Sequence, residues 1–291
     1  MSSSGSLSFD TAPSSAATPF SAALALRPRG DGRYTAELTN AWTVGGGKQH
    51  GGLLLALTTR AGLLALDAAS GAEVPSEPLA VSADFLRAPG AGPAQLATQL
   101  VKAGRTVSVV RVELSQDDRL MLLATVTAGR LPDAPVEWAD LPEMAAEPPP
   151  EARATSGAPG RVPPLATACE VRIDPATAAF LRNQRGAEPM IRGWARPLGE
   201  QPDPLFAVLA GDILPPVLAN IGAPGWAPTV QLTALLRARP APGWLRLESS
   251  SRTIAGGWLD EDMIVVDSAG RLVCQARQLA LAPLASDVVS A

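Results

Sequence analysis

Asp212 is the one charged residue in the stretch FAVLAGDILPPVLAN, residues 206–220. A carboxylate sunk in apolar chain costs free energy unless it is paired or hydrogen-bonded. Burial also raises its pKa, which suits a group that takes and returns a proton near neutral pH. A plainer reading leaves Asp212 on an exposed edge, where Pro215 and Pro216 break the helix. His50, the single histidine, precedes Gly51 and Gly52. Glycines at a helix start let a carbonyl approach free backbone N–H groups, where the helix dipole favours developing negative charge. His50 itself is a loop or capping residue sooner than a base, since no acid adjoins it in sequence. No G-x-S-x-G elbow occurs, so the serine-hydrolase route has no support.

Elements must hold these residues in place, and composition bounds them. The chain has 291 residues, comfortable for two domains. Lysine is almost absent, with only Lys48 and Lys102, and arginine is scattered. No basic stripe forms, so no nucleic-acid partner is expected. Cys169 and Cys274 lie far apart without C-x-x-C spacing, so we expect two small buried strand residues and no metal site. Residues 1–19 are Ser/Ala-rich and lack the basic start and apolar run of a signal peptide. No apolar stretch of about 18 residues runs free of charges and breakers. The expectation is a cytoplasmic protein with a disordered tail over 1–19 and no membrane span.

Prolines crowd residues 131–164. Proline fixes φ and removes a ladder donor, so this stretch is an extended connector, strapped over the surface by Trp138 and Leu141. The sequence on either side repeats at an offset of roughly 150 residues, a spacing that fits a duplicated domain. Phe85-Leu86-Arg87-Ala88-Pro89 parallels Leu235-Leu236-Arg237-Ala238-Arg239-Pro240, and the break at 115–120 parallels 267–272. In the first half a helix over 51–66 precedes strands at 95–102, 107–114 and 120–127. In the second, strands at 169–173 and 190–195 precede a helix over 204–214. Strands at 229–237, 245–251, 253–259, 263–266 and 272–281 follow. One helix followed by an antiparallel meander, twice, is an α+β pattern. The resulting division is a tail (1–19), an N-terminal unit (20–130), a linker (131–165) and a C-terminal unit (166–291).

With these stretches in view, the chain resembles the acyl-CoA thioesterase II-like family. The matching pieces are Gly51-Gly52, Asp84-Phe85-Leu86-Arg87, Gly104-Arg105 and Gln116. In the second half they are 211–216, 232–240, Gly243-Trp244-Leu245 and 270–278. Their order and spacing carry the likeness. It implies a double hotdog: two fused units, each with a central helix wrapped by an antiparallel sheet. It implies hydrolysis of a fatty acyl-CoA to free acid and coenzyme A, with acyl-CoA as the partner molecule, no cofactor, and assembly into a homo-oligomer.

In that family an Asp on the second helix works with a Gln and a Thr or Ser to activate water. Asp212 matches the Asp and Gln278 the Gln, and a Gln can both donate and accept. The hydroxyl departs from the pattern, because counting back from Arg239-Pro240 puts it on Val230. Thr229 is adjacent and Thr233 lies on the same strand. In a regular strand the two share a face, and Thr233 is the weak preference. The resemblance also implies that His50, Gly51 and Gly52 face the Asp-bearing helix, so that the thioester oxygen rests on the glycine amides. Arg87, Arg105, Arg237 and Arg239 could meet coenzyme A phosphates, though solvated edge charges are the commoner case. An enoyl-CoA hydratase is disfavoured because no histidine follows Asp212. A silent acyl-binding protein gains from the misplaced hydroxyl.

Overall fold

The run from Gly51 to Ser70 holds Leu, Ala, Gly and Thr at most positions, with Arg60 and Asp67 its only charges. It forms the long helix that the rest of the molecule encloses. The computed structural model describes residues 19–71, 74–154, 164–223 and 225–282. Most of the expected N-terminal tail, and 155–163 of the expected linker, lie outside the described residues. The helices are α1 (Phe20–Ala23), α2 (Gly51–Ser70), α3 (Leu165–Ala168), α4 (Pro204–Ala210) and α5 (Leu218–Ile221).

The strands of the first half are β1 (Arg27–Gly30), β2 (Arg33–Leu38), β3 (Glu77–Phe85), β4 (Gly92–Lys102), β5 (Ser108–Gln116) and β6 (Arg119–Gly129). Those that follow are β7 (Arg153–Ala154), β8 (Cys169–Ile173), β9 (Met190–Pro197), β10 (Thr229–Leu236), β11 (Leu245–Ser250), β12 (Ile254–Ala255), β13 (Trp258–Val266) and β14 (Leu272–Leu281). They form one antiparallel sheet in the order β1-β2-β4-β5-β6-β3-β10-β14-β13-β11-β9-β8-β7, with β12 on β13. The first-half strands thus sit together, the later ones sit together, and β3 joins β10 at the seam. Inner positions alternate as a half-buried sheet requires: Val110, Val112 and Leu114 on β5 and Leu259, Met263 and Val265 on β13 are all buried.

Helix α2 extends beyond the expected Leu66 to Ser70, where Gly71 takes a left-handed conformation (φ 59°) and ends it. By length and composition α2 could cross a membrane, but 67% of that stretch is buried inside the protein. Helix α4 is shorter than the expected 204–214. Asp203 caps its start by accepting from Phe206 N–H at 2.7 Å, and it stops at Ala210. Pro215 disfavours helical geometry at Leu214, and neither proline can donate a helical hydrogen bond. Asp212 therefore lies on the turn after the helix, its N–H bonded to Leu209 O at 3.1 Å.

Strands β1–β3 were missed by the sequence pattern. In β3 a bulge between Pro78 and Ala80 interrupts the alternation, and small residues blur the rest. The separate strands expected at 253–259 and 263–266 are mostly one, β13, because the acidic run Asp260-Glu261-Asp262 continues the strand. Trp138 does not strap the connector, being 81% exposed. The connector is held instead by Trp194 Nε1–H donating to Ala145 O at 2.8 Å and Arg246 to Met144 O at 3.0 Å. Cys169 and Cys274 are free and buried on strands, as expected.

Helices α2 and α4 cross at a glycine. A Cβ on Gly52 would lie 2.7 Å from Leu209 O and 3.1 Å from Asp212 Cβ, inside contact distance of backbone that cannot swing away. Gly52→Ala is expected to force the helices apart and destabilise the fold by about 1–3 kcal/mol, the usual cost of overpacking. Denaturant unfolding, with the midpoint shifted at constant m, is the check.

Candidate active site

Three elements of the second half and one helix end of the first converge around Asp212. Thr229 and Gln278 share the inner face of the sheet, because paired residues of an antiparallel ladder point the same way. Thr229 pairs with Ala280, Leu232 with Gln278, and Gln278 with Glu261. Leu232, Ala280 and Glu261 are buried, which fixes that face as the inner one.

Thr229 reaches this face through an irregularity. The β10–β14 register shifts between Thr229 and Gln231. A bulge inserts one residue and reverses the alternation beyond it. Thr229 and Thr233, four apart, consequently point to opposite faces. Thr229 Oγ1 donates to Gln278 Oε1 at 2.7 Å. Thr233, the preferred candidate from sequence, pairs with Arg277 on the outer face. Its hydroxyl donates to Ser82 Oγ at 2.9 Å and accepts from Gln231 Nε2 at 2.8 Å. This outer cluster ties β10 to β3, away from Asp212, and the expectation for Thr233 is corrected accordingly.

As a residue Asp212 keeps intermediate exposure. The protein packed around its carboxyl group raises its pKa to about 7, with burial the main cause. Hydrogen bonds from the Gly52 backbone N–H and the Gln278 side chain pull the other way without overcoming it. The Gln278 amide orientation follows from its partners: Oε1 accepts from Thr229, and Nε2–H faces carboxylates.

The start of α2 is closely fitted to Asp212. A Cβ on Gly51 would lie 2.7 Å from Asp212 Oδ2. Gly52 N–H is taken by the Asp212 carboxylate and Leu53 N–H by His50 Nδ1 at 3.3 Å. Among the described residues Gly51 N–H has no hydrogen-bond partner. It, rather than the pair of glycine amides expected from sequence, is the donor left at this helix end. His50 is the N-cap, 5% exposed. With Nδ1 accepting, its other nitrogen donates to the Asp212 backbone, and burial lowers its pKa to about 4. Both ring nitrogens are engaged, so His50 ties the helix end to the Asp212 turn and offers no polar atom to a substrate.

Sequence reasoning missed Glu261. It is 6% exposed, accepts from Gln278 Nε2–H at 2.7 Å and from Val217 N–H at 2.7 Å. Burial, with the neighbouring charge of Asp212 adding to it, raises its pKa to about 7. The signal was present: Leu259, Glu261, Met263 and Val265 alternate, which places Glu261 inward. The acidic neighbours disguised it as a loop.

A second feature adjoins the start of α2. Lys48, Arg87, Gln116, Asp117, Arg119 and Met121 line a cleft of about 450 Å³. Lys48 is two residues before His50. Phe85, two before Arg87, lies within 3.7 Å of where a Gly51 Cβ would be. The Gln116 amide bonds both N–H and C=O of Gly90 and fixes the cleft wall. Of the other candidate arginines, Arg239 is paired with Glu77 at 2.5 Å. Among the described residues no cluster of three or more metal-ligating side chains occurs.

Comparison with known proteins bears on the fold and the family. The fold is a hotdog: a protein from Alicyclobacillus acidocaldarius described with that fold superposes with a TM-score of 0.77 at 20% identity, over 91% of this chain and 98% of its own. A Thermobifida fusca protein proposed to be a thioesterase II has a TM-score of 0.80 at 32% identity, over 92% and 99%. The uncharacterized protein Rv0499 of Mycobacterium tuberculosis is 41% identical, over 91% of this chain and 98% of its own. Family models for the acyl-CoA thioesterase N-terminal domain match residues 38–129, and those for the C-terminal domain match residues 139–282. The chain belongs to the acyl-CoA thioesterase family.

The raised pKa of Asp212 has a consequence for stability. Unfolded, the group ionises near its ordinary 3.8; folded, it holds its proton to about 7. Between these values the folded state binds more protons, so stability is greatest at low pH and falls as pH rises. Asp212→Asn removes this dependence. Its melting midpoint is expected to match wild type near pH 4 and to exceed it by several degrees near pH 8, measured by calorimetry at both.

Proposed function

We propose that this protein hydrolyses fatty acyl-CoA thioesters to free acid and coenzyme A on a double-hotdog scaffold, with Asp212 activating the attacking water. The observation that carries this reading is the Asp212 carboxyl group at the start of α2, hydrogen-bonded by a Gln278 side chain that Thr229 holds in turn. The double-hotdog reading is supported by the antiparallel seam of β3 and β10, which relates the two halves by a local two-fold axis.

In this mechanism a water beside Asp212 attacks the thioester carbonyl carbon and gives its proton to the carboxylate. The carbonyl oxygen becomes an oxyanion and accepts from Gly51 N–H, where the helix dipole adds to the stabilisation. The tetrahedral intermediate collapses by breaking the C–S bond. The proton returns from Asp212 to the leaving thiolate, so the carboxylate is regenerated. Gln278 and Thr229 limit the positions Asp212 and its water can take. The Val at position 230, which favoured a silent binding protein, matters less once the bulge turns the Thr229 hydroxyl inward.

The basic cleft fits the other end of the substrate. Lys48, Arg87 and Arg119 line it together with one acid, Asp117. The phosphates of coenzyme A are the natural ligands of such a charge balance.

Activity measurements test this reading. Hydrolysis of a panel of acyl-CoA chain lengths, followed by thiol release, is expected to fall at least about 100-fold in kcat for Asp212→Ala. Thr229→Val should lose activity and Thr233→Val retain it. The wild-type rate should rise with pH through about 7, as Asp212 ionises. Equal rates for wild type and Asp212→Ala would end the mechanism. Separately, Arg87→Glu combined with Lys48→Glu is expected to raise KM about tenfold for acyl-CoA. The same pair should leave KM for the corresponding acyl-pantetheine, which lacks the nucleotide phosphates, unchanged.

A further inference from the structure

Glu261 stands behind the site, away from solvent, and among the described residues no cation pairs with it. Among the described residues its partners are Val217 N–H and Gln278 Nε2–H, each at 2.7 Å. A buried carboxylate satisfied only by neutral donors is costly, so a purely structural reading must say what the fold gains from it.

The first half of the chain answers that. Across the sheet, Leu232, Gln278 and Glu261 form one row through β10, β14 and β13. At the repeat offset, the matching row is Val81, Val126 and Val110 through β3, β6 and β5. All three valines are fully buried. The same position in the same kind of sheet is filled by apolar side chains in one half. The polar pair is therefore a property of the half that carries Asp212, and the sheet does not require it.

Resting on the thioesterase reading above, we propose that Glu261 is a positioning residue of the hydrolytic site: by accepting from Gln278 Nε2–H it fixes which end of that amide meets Asp212 and which meets Thr229. A primary amide has one accepting and one donating end, and here each is spoken for. Thr229 Oγ1–H takes Oε1; Glu261 Oε2 accepts from Nε2–H at 2.7 Å, and the donating end of the same side chain favours the ionised form of Asp212. Thr229 alone cannot set the orientation, since a hydroxyl donates or accepts with equal ease. Glu261 can, because one of its oxygens is held by Val217 N–H and the other is placed to accept from Gln278 Nε2–H. Its second oxygen anchors Val217 N–H, five residues beyond Asp212, so the same side chain also steadies the far end of the turn on which Asp212 sits.

Glu261→Gln is the sharp substitution. It keeps the volume and an acceptor for Val217 N–H, and it replaces the oxygen facing Gln278 with a second NH2 donor. Gln278 then turns over, and its carbonyl oxygen faces the Asp212 carboxylate in place of a donor. Steady-state hydrolysis is expected to show kcat reduced about 10- to 100-fold with KM within about threefold of wild type. In a Gln278→Met background Glu261→Gln should cost nothing further, because the two act as a unit. A residue that only supports the fold would lower stability and activity additively in both backgrounds. If Glu261→Gln does not fold, Glu261→Asp keeps the charge and withdraws it by one methylene, and the same cycle applies. An active wild type with unchanged kcat in Glu261→Gln, or an additive cycle, overturns this proposal alone. A wild type inactive on every acyl-CoA overturns it together with the thioesterase reading.

Discussion

The fold and the site meet where the carboxyl group of Asp212 touches the start of α2. Two glycines make the contact possible: a Cβ on either would come within 2.7 Å of an atom of the α4 end or its turn. The helix end would be expected to favour the ionised form. Such charge–dipole interactions are worth about 0.3–1 kcal/mol, rising to about 2 when partly buried. Moving the pKa from 3.8 to about 7 corresponds to about 4 kcal/mol in the opposite direction. Desolvation wins against the dipole and both hydrogen bonds. The acid is left able to exist in either protonation state near neutrality, which a firmly ionised surface aspartate could not do.

That balance depends on strand faces, and strand faces depend on register. Thr229, Gln278 and Glu261 point inward only because β10 carries an irregularity between Thr229 and Gln231 while β13 and β14 remain regular there. Had β10 been regular throughout, Thr229 would have joined Thr233, Gln231 and Ser82 on the outer side. The hydroxyl misplaced by one residue in the sequence is compensated by one residue of bulge. The same device leaves the outer cluster free to bind β3 to β10, so the seam is held on one face while the site forms on the other.

Much of this was legible in the residues. The apolar setting of Asp212, the glycines after His50, the duplicated spacing and the α+β order are all one-dimensional signals. What escaped has physical reasons. A bulge leaves no mark in composition, so Thr233 and Thr229 could not be separated. Glu261 was hidden by acidic neighbours that imitate a turn, although the alternation of Leu259, Met263 and Val265 pointed inward. Strand β3, the partner of β10 at the seam, has small residues and its own irregularity, and so lacks the pattern that revealed β5. His50 was read as a loop or capping residue and, by resemblance, as part of the substrate-facing helix end; it is the N-cap, and its link to a turn 162 residues away has no local signature.

On the double-hotdog reading, differences between the two halves explain why only one of them carries this arrangement. The helix that stops early is the one that carries the acid. Proline at 215 and 216 ends regular helix before Asp212, the chain turns, and the carboxyl group reaches across to α2. In the other half α2 continues for 20 residues, and the hydroxyls of Thr58 and Thr59 bond back to carbonyls of their own helix. At the start of α4 the cap is Asp203, whose carboxylate occupies the helix amides and would repel a developing oxyanion. At the start of α2 the cap is a neutral imidazole, which satisfies Leu53 N–H without adding charge. Each half has therefore given up what the other supplies: the first keeps an uncharged helix end and an apolar sheet, and the second keeps the acid with the polar row that orients it.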